Sequence, residues 1–362
     1  MNADEAPAVP DDVQRGGAAA APASGAAGVP RVLRAPHIGV EFDRMIALTT
    51  GAIAASQNLH RVAHYTSGVY DFAVDVLDDP AVATIGAGEA VAGRRSEYMR
   101  AGQQLAFITG REDLALSDLR SGKLIRTVLH SSKGAIFCTL VRRGEHLTGL
   151  SLAQSRAGID DADRALSELV TEVRAHIGLG SENPGGWGSL RPAAAPAGER
   201  PDEAVSVPDT ADDTALVLQG VETDDLLRLF RAAVNPADVH YAAYHQGGHL
   251  VSAADCLDDG SIRHLFTQIT PAARRRKYGD IGASFPVLAR RFGQLMTAAV
   301  SGRLLRAVLD VEQGAIYYYR LADNAYLIGV TLQQAEVKSA DDRMAALADA
   351  FRGLHGGDRP TA

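Results

Sequence analysis

Apolar and polar positions recur along the chain at two periods, helical and alternating, and the periods follow one another in the same order twice. In the second half, Leu226, Leu229, Phe230 and Ala233 share a helical face behind Thr223, which can cap the first turn, and Asn235-Pro236 ends the helix. "VHYAAYHQ" and "HLVSAADCL" then read as strands around Gly247-Gly248, a pair that accepts the positive φ of a tight hairpin. A long connection from Asp258 to Ala283 leads to a second helix capped by Ser284, with Pro286 in its first turn and Leu288, Phe292, Leu295 and Ala299 on one face. Three strands follow, "RLLRAVLDVE", "AIYYYRLAD" and "AYLIGVTL", broken at Gln313-Gly314 and Asp323-Asn324. A last helix from Ser339 carries Met344, Leu347 and Phe351 on one face, with Asp342 placed for a capping box.

The first half predicts the same order. A helix falls near residues 42–57, a hairpin turn at Ser67-Gly68, and a last helix bears Leu166, Leu169, Val173 and Ile177. Gly110 interrupts the expected second helix, so its start is placed at Thr109, where Glu112 completes a capping box. Residues 60–152 set against 240–332 match without a gap, at about a quarter of positions, the mark of an internal duplication. "SGKLIRTVLH" (121–130) falls on "SGRLLRAVLD" (301–310); Asp75, Leu77, Asp78 and Asp79 fall on Asp255, Leu257, Asp258 and Asp259; Arg94, Arg95 and Tyr98 fall on Arg274, Arg275 and Tyr278. Each copy therefore reads α-β-β-α-β-β-β-α, an α+β fold with a five-stranded antiparallel sheet and packed helices.

Composition sets the boundaries. Residues 1–36 are rich in Ala, Pro and Gly with few large apolar side chains, which predicts a disordered tail, and the same composition returns from Ser181. The expected organisation is a first domain at 37–180, a flexible linker at 181–220, a second domain at 221–356 and a short tail at 357–362. Trp187, the sole tryptophan, lies in that linker and either docks on a domain or hangs free. A flexible stretch of about 40 residues spans on the order of 35 Å, enough for the two domains to meet.

The 44 acidic residues outnumber the 36 basic ones, and no basic field argues for nucleic acid. Cys138 and Cys256 are the only cysteines, too few and too far apart for a disulfide framework or a thiolate zinc site, which fits a reducing compartment. The N-terminal stretch is acidic where a secretory signal is basic, and no run of about eighteen apolar residues occurs. The expectation is a soluble cytoplasmic protein without a membrane span.

Candidate chemistry is sparse. His60 and His64, and His245 and His249 beside the hairpin turn, are weighed as metal ligands, but on a strand residues four apart stand roughly 13 Å from each other, so surface or core histidine is the reading preferred. Asp78-Asp79 and Asp258-Asp259 can serve as paired carboxylates, but adjacent aspartates ahead of Pro80 and Gly260 read as turn formers. "GAGEAVAG" (86–93) lacks the GK[ST] ending of a phosphate loop, and no GxSxG elbow is present. Tyr317, Tyr318 and Tyr319 alternate on a strand as packing residues, with one or two available to a partner. The densest basic cluster, Arg274, Arg275, Arg276 and Lys277 with Tyr278, echoed by Arg94, Arg95 and Tyr98, is the candidate partner-binding surface. No catalytic residues, metal or cofactor are assigned.

The helix and three-strand run "LARRFGQLMTAAVSGRLLRAVLDVEQGAIYYYRLADNAYLIGVTL", with its counterpart in the first half, resembles the roadblock / dynein light chain type 7 superfamily of profilin-like modules. The resemblance implies two such modules forming an intramolecular pseudo-dimer, since members lay their second helices and third strands together into one continuous sheet. It also implies a non-enzymatic regulator or scaffold for a small Ras-like GTPase or another signalling protein, with further oligomerisation open. The connections at 78–100 and 258–280 exceed the family's short link. They keep an alternative in view, a small-molecule sensor of GAF or PAS type with a ligand beneath those loops.

Overall fold

Ser67-Gly68 and Gly247-Gly248 take positive φ at all four residues (50°, 79°, 60° and 84°), which folds each flanking pair of strands into a tight hairpin. The computed structural model describes residues 28–83, 91–190 and 216–354. The first half runs β1 (Arg31–Arg34), α1 (Asp43–Ala55), β2 (Arg61–Thr66), β3 (Val69–Asp75), α2 (Pro80–Ala83), α3 (Val91–Leu116), β4 (Leu124–Ser131), β5 (Gly134–Arg142), β6 (Glu145–Ser151) and α4 (Arg156–His176). The second runs β7 (Val217–Gln219), α5 (Asp224–Ala233), β8 (Tyr241–Gln246), β9 (His249–Asp255), α6 (Pro271–Val300), β10 (Leu304–Val311), β11 (Gly314–Ala322), β12 (Ala325–Thr331) and α7 (Val337–Leu354).

The twelve strands of the described residues form one antiparallel sheet, ordered β1-β3-β2-β6-β5-β4-β10-β11-β12-β8-β9-β7, so the chain is α+β and the sheet passes unbroken from one half to the other. Alternation along the strands divides the core into two layers. Phe137 and Tyr317 face α1, α4, α5 and α7, where Ile53, Val173, Phe230 and Phe351 pack. Ile136, Cys138 and Ile316 face α3 and α6, where Leu105, Tyr278 and Phe292 pack.

Three expectations need correction. The second helices are far longer than the pattern suggests: α3 opens at Val91 rather than Thr109, and α6 at Pro271 rather than Ser284, so the long connections are mostly helix. Gly110 and Pro286 both lie inside helices, and the cap of α6 is Thr270, whose side chain accepts from the Ala273 N–H at 3.3 Å. Second, each half carries a sixth strand at its outer edge. β1 falls in the expected tail and pairs with β3, and β7 falls in the expected linker and pairs with β9. Third, residues 181–190 form a 3-10 strap (Pro184–Leu190) seated between α4 and α7, with Gly185 and Gly186 at φ 81° and 68°. The remainder of the expected tails and linker, residues 1–27, 191–215 and 355–362, lies outside the described residues.

Candidate functional site

The seam between the halves is the pairing of β4 with β10, the strands into which the two matching decapeptides run. Its register places Val128 opposite Val308, positions equivalent in the duplication, and on either side Arg126 faces Asp310 and His130 faces Arg306. Residues related in this way, each position meeting its partner's equivalent, are what a twofold relation between two like units produces. Backbone pairing continues past the strands, the N–H groups of Glu312 and Gln313 donating to Lys123 and Ser121 carbonyls at 3.0 Å. On one face of the seam α3 lies against α6. There Arg274 donates to the Leu119 carbonyl at 3.1 Å, and Lys277 reaches Asp118 at 3.4 Å.

The opposite face holds a buried charge network. Arg126 is bound by Asp163 from α4 and by Asp310 from β10, the latter at 2.8 Å. Its counterpart Arg306 is bound by Asp341 from α7, while Arg156, at the start of α4, crosses the seam to Asp341 at 2.8 Å and to the Tyr319 hydroxyl at 3.1 Å. Burial pushes the Asp341 carboxyl up, but Arg306 and Arg156 outweigh it and hold the group below the usual carboxylate range. The strap covers the Arg126 side only. Gly185 N–H donates to Asp310 at 2.7 Å, Trp187 Nε1 donates to Asp163 at 3.3 Å, and the Lys338 ammonium sits 5.6 Å from the indole. Trp187 is therefore docked. Burial pushes His130, which occupies the position equivalent to Asp310, down to about 3, helped by Arg306 and Arg156.

The residues expected to bind a partner are placed differently. Arg94, Tyr98, Arg274 and Tyr278 lie on the inward face of their helices and are buried. Arg274 stacks over Phe266 at 5.4 Å besides its bonds across the seam. Arg95 grips Asp75 and Asp78 at 2.6 and 2.7 Å, and Arg275 grips Asp255 and Asp258 at 2.6 and 2.8 Å, so the duplicated Arg and Asp residues serve each other. These pairs tie the start of each long helix to the end of a hairpin. Of the eight, Arg276 faces solvent and Lys277 is half-exposed beside Asp118. A packed helical face written with Arg and Tyr reads as a basic surface in sequence; the spacing Arg274, Tyr278, Phe285, Leu288, Phe292 was the signal that it points inward.

Asp79 and Asp259 do turn work, accepting from the Ala81 and Ser261 N–H groups at 2.8 Å. His60 and His240 are equivalent and structural: each Nδ1 accepts from a backbone N–H, that of Leu152 at 3.1 Å and Leu332 at 3.2 Å. His64 belongs to a cluster that sequence reasoning missed. Asp71 contacts His64 Nδ1 at 2.8 Å and His37 Nε2 at 2.9 Å and accepts from Thr66 at 2.7 Å. Among the described residues no group of three or more His, Cys, Asp or Glu side chains is placed to hold a metal ion. His245 is buried, stacked on Tyr326 with ring centroids 5.1 Å apart, and His249 is exposed.

Burial pushes the Cys138 and Cys256 thiols up to about 12, which keeps both protonated and unreactive at neutral pH. Tyr317, Tyr318 and Tyr319 are all buried as packing residues; Tyr317 donates to the Val337 carbonyl at 2.8 Å, and Tyr318 stacks on Phe285 at 4.8 Å. Of the glycine-rich stretch, residues 91–93 open α3 and residues 86–90 lie outside the described residues. Among the described residues no helix is long and apolar enough to cross a membrane. No protein-family model matches the chain, and no curated protein matches it in sequence.

Proposed function

We propose that the chain is a non-catalytic tandem roadblock-like regulator or scaffold, two profilin-like modules joined as an intramolecular pseudo-dimer, that binds a small Ras-like GTPase or another signalling protein. The observation that carries this reading is the β4–β10 pairing centred on Val128 and Val308, with α3 and α6 side by side above it. Third strand beside third strand and second helix beside second helix is the arrangement that the resemblance implies for a dimer, here within one chain. The titratable side chains support the same reading. Arg61, Arg95, Arg126, Arg275 and Arg306 are all bound to aspartates of the chain itself, an arrangement that fixes a scaffold rather than a reacting group.

The sensor reading asked for a ligand chamber under the long connections. In the first half that place is taken by α3, whose contact with the sheet leaves a cavity of about 10 Å³, against the roughly 300 Å³ that a small ligand needs. The test is affinity capture with the full chain from native cells, with protein mass spectrometry and native mass spectrometry of the captured chain. Recovery of a Ras-like GTPase supports the proposal. A copurifying small ligand with no GTPase overturns it.

A further inference from the structure

The second half carries an open groove of about 1030 Å³ at one corner of the sheet, between the C-terminal part of α6 and the turns at Gly247-Gly248 and Asp323-Asn324. Its walls hold three guanidinium groups, those of Arg290, Arg303 and Arg320, against one carboxylate, Asp323. Arg303 and Arg320 donate to the same Asp323 oxygen, at 2.7 and 2.9 Å. Arg290 is exposed and makes no ion pair among the described residues, and Arg320 Nε is buried without a hydrogen-bond partner. Positive charge is thus in excess, in the fork geometry that matches carboxylate, sulfonate and phosphate oxygens.

Beside the polar Gln294, Thr297 and Asn324, the lining has an apolar part. Tyr318 and Tyr326 lie at the groove with ring centroids 5.5 Å apart, Tyr318 is backed by Phe285, and Pro286 and Leu304 flank them. The duplication shows that this chemistry belongs to one half. The positions equivalent to Arg290, Arg303, Tyr318 and Arg320 are Gly110, Lys123, Cys138 and Leu140. A feature needed only to hold the shared fold would be expected in both copies; here Lys123 keeps a cation, while the other two guanidinium groups and the tyrosine occur in the second half alone.

We propose that the groove binds a small organic anion with a planar apolar body, its acidic group held by Arg290 with Arg303 and Arg320 and its body laid along Tyr318, Pro286 and Leu304. The volume lies just above the usual range for small-molecule sites, about 300–1,000 Å³, as an open groove allows. The proposal does not rest on the regulator reading, since no step of it invokes a GTPase partner.

The test titrates the full chain with anilinonaphthalene sulfonate, a planar aromatic anion, and reads its fluorescence. One saturable site is expected, weakened at least about tenfold by Arg290→Glu and by Arg303→Glu, the effect of losing a charge-assisted hydrogen bond and placing a repelling charge. Arg111→Glu on α3, outside the groove, is expected to leave the affinity unchanged. The uncharged phenylnaphthylamine is expected to bind at least about tenfold more weakly. Arg290 has no ion pair among the described residues to lose, so its substitution separates binding from folding, with circular dichroism as the check. Equal affinity in wild type and both groove variants, or for the charged and uncharged dyes, overturns the proposal. Displacement of the dye by polyglutamate but not by naphthalene sulfonate also overturns it, in favour of an acidic polypeptide.

Discussion

Tyr326 donates its hydroxyl to the Gly282 carbonyl at 2.9 Å, the oxygen that Pro286 leaves without its helical donor. A proline inside a helix removes the N–H that would serve the carbonyl four residues earlier. Here a side chain from the sheet supplies the missing hydrogen, and α6 runs on through the proline. Tyr326→Phe is expected to cost about 1–3 kcal/mol by stranding a buried acceptor. In a Pro286→Ala background, where the backbone N–H returns, the same substitution should cost less. Urea unfolding of the four proteins of this cycle measures the coupling, and equal costs in both backgrounds would show that the two residues do not act on one oxygen.

The seam is uneven in a way that its register makes testable. If residues 28–190 are produced alone, the bared β4 edge is expected to pair with a second copy, because an open strand edge seeks a partner. In that dimer Arg126 meets His130 of the other copy. In a dimer of residues 216–354, Arg306 meets Asp310 instead, as the β4–β10 register dictates. The second fragment should therefore form the tighter dimer, by about tenfold or more, the worth of a charge-assisted bond. Sedimentation equilibrium gives both constants, and a tighter dimer of the first fragment would contradict the register argument.

Asp310→Ala removes a partner of Arg126 and the anchor of the Gly185 N–H together. Deleting one side of a buried ion pair costs about 3–5 kcal/mol when the remaining charge is left alone, and because Asp163 still binds Arg126 the loss is expected below that range. Unfolding in denaturant should register that loss. Trp187, the only tryptophan, should shift its emission to the red as the strap loosens; an unchanged spectrum would mean that the strap is held by other contacts.

Buried histidines set the acid side of stability. Burial holds His240 and His245 down to about 4, below the ordinary 6.5. The unfolded chain then binds more protons than the folded one, so the contribution is complete above about pH 6.5 and is lost as pH falls through that value toward 4. Among the described residues both nitrogens of His245 are buried without a hydrogen-bond partner, while its ring stacks on Tyr326. His245→Phe keeps the stacked ring and removes the titration, so it should flatten the fall in stability between pH 7 and pH 5, by up to about 1.4 kcal/mol per pH unit. Guanidinium midpoints at the two pH values decide it; the same slope in both proteins would show that His245 does not titrate on unfolding.

Much of the frame was legible because two sequences had to satisfy one set of elements. The turn at Gly247-Gly248 and the Thr223 cap were readable from local chemistry alone, and the cap is present at 3.3 Å to the Leu226 N–H. The long helices were hidden by residues that usually break helices. Gly102 and Gly282 are there because strand side chains press against the helix backbone: a Cβ would run into the Tyr65 hydroxyl in one half and the His245 ring in the other. Pro286 is tolerated because Tyr326, forty residues on, answers for it. Such remote compensation leaves no local trace. The edge strands β1 and β7, of four and three residues, are too short to show a period. The charge network at the seam depends on which strands meet, and only the register reveals that Arg126 and Asp310 are neighbours.

The duplicated frame is near-symmetric, but its fittings are not: the Trp187 strap covers one flank of the central strands, and Asp310 answers Arg126 where His130 answers Arg306. A partner that spans both halves meets two unlike shoulders, and the two seatings related by the pseudo-twofold are no longer equal. The expected stoichiometry is one bound molecule per polypeptide, and fusion has given the assembly a polarity that two identical subunits could never possess.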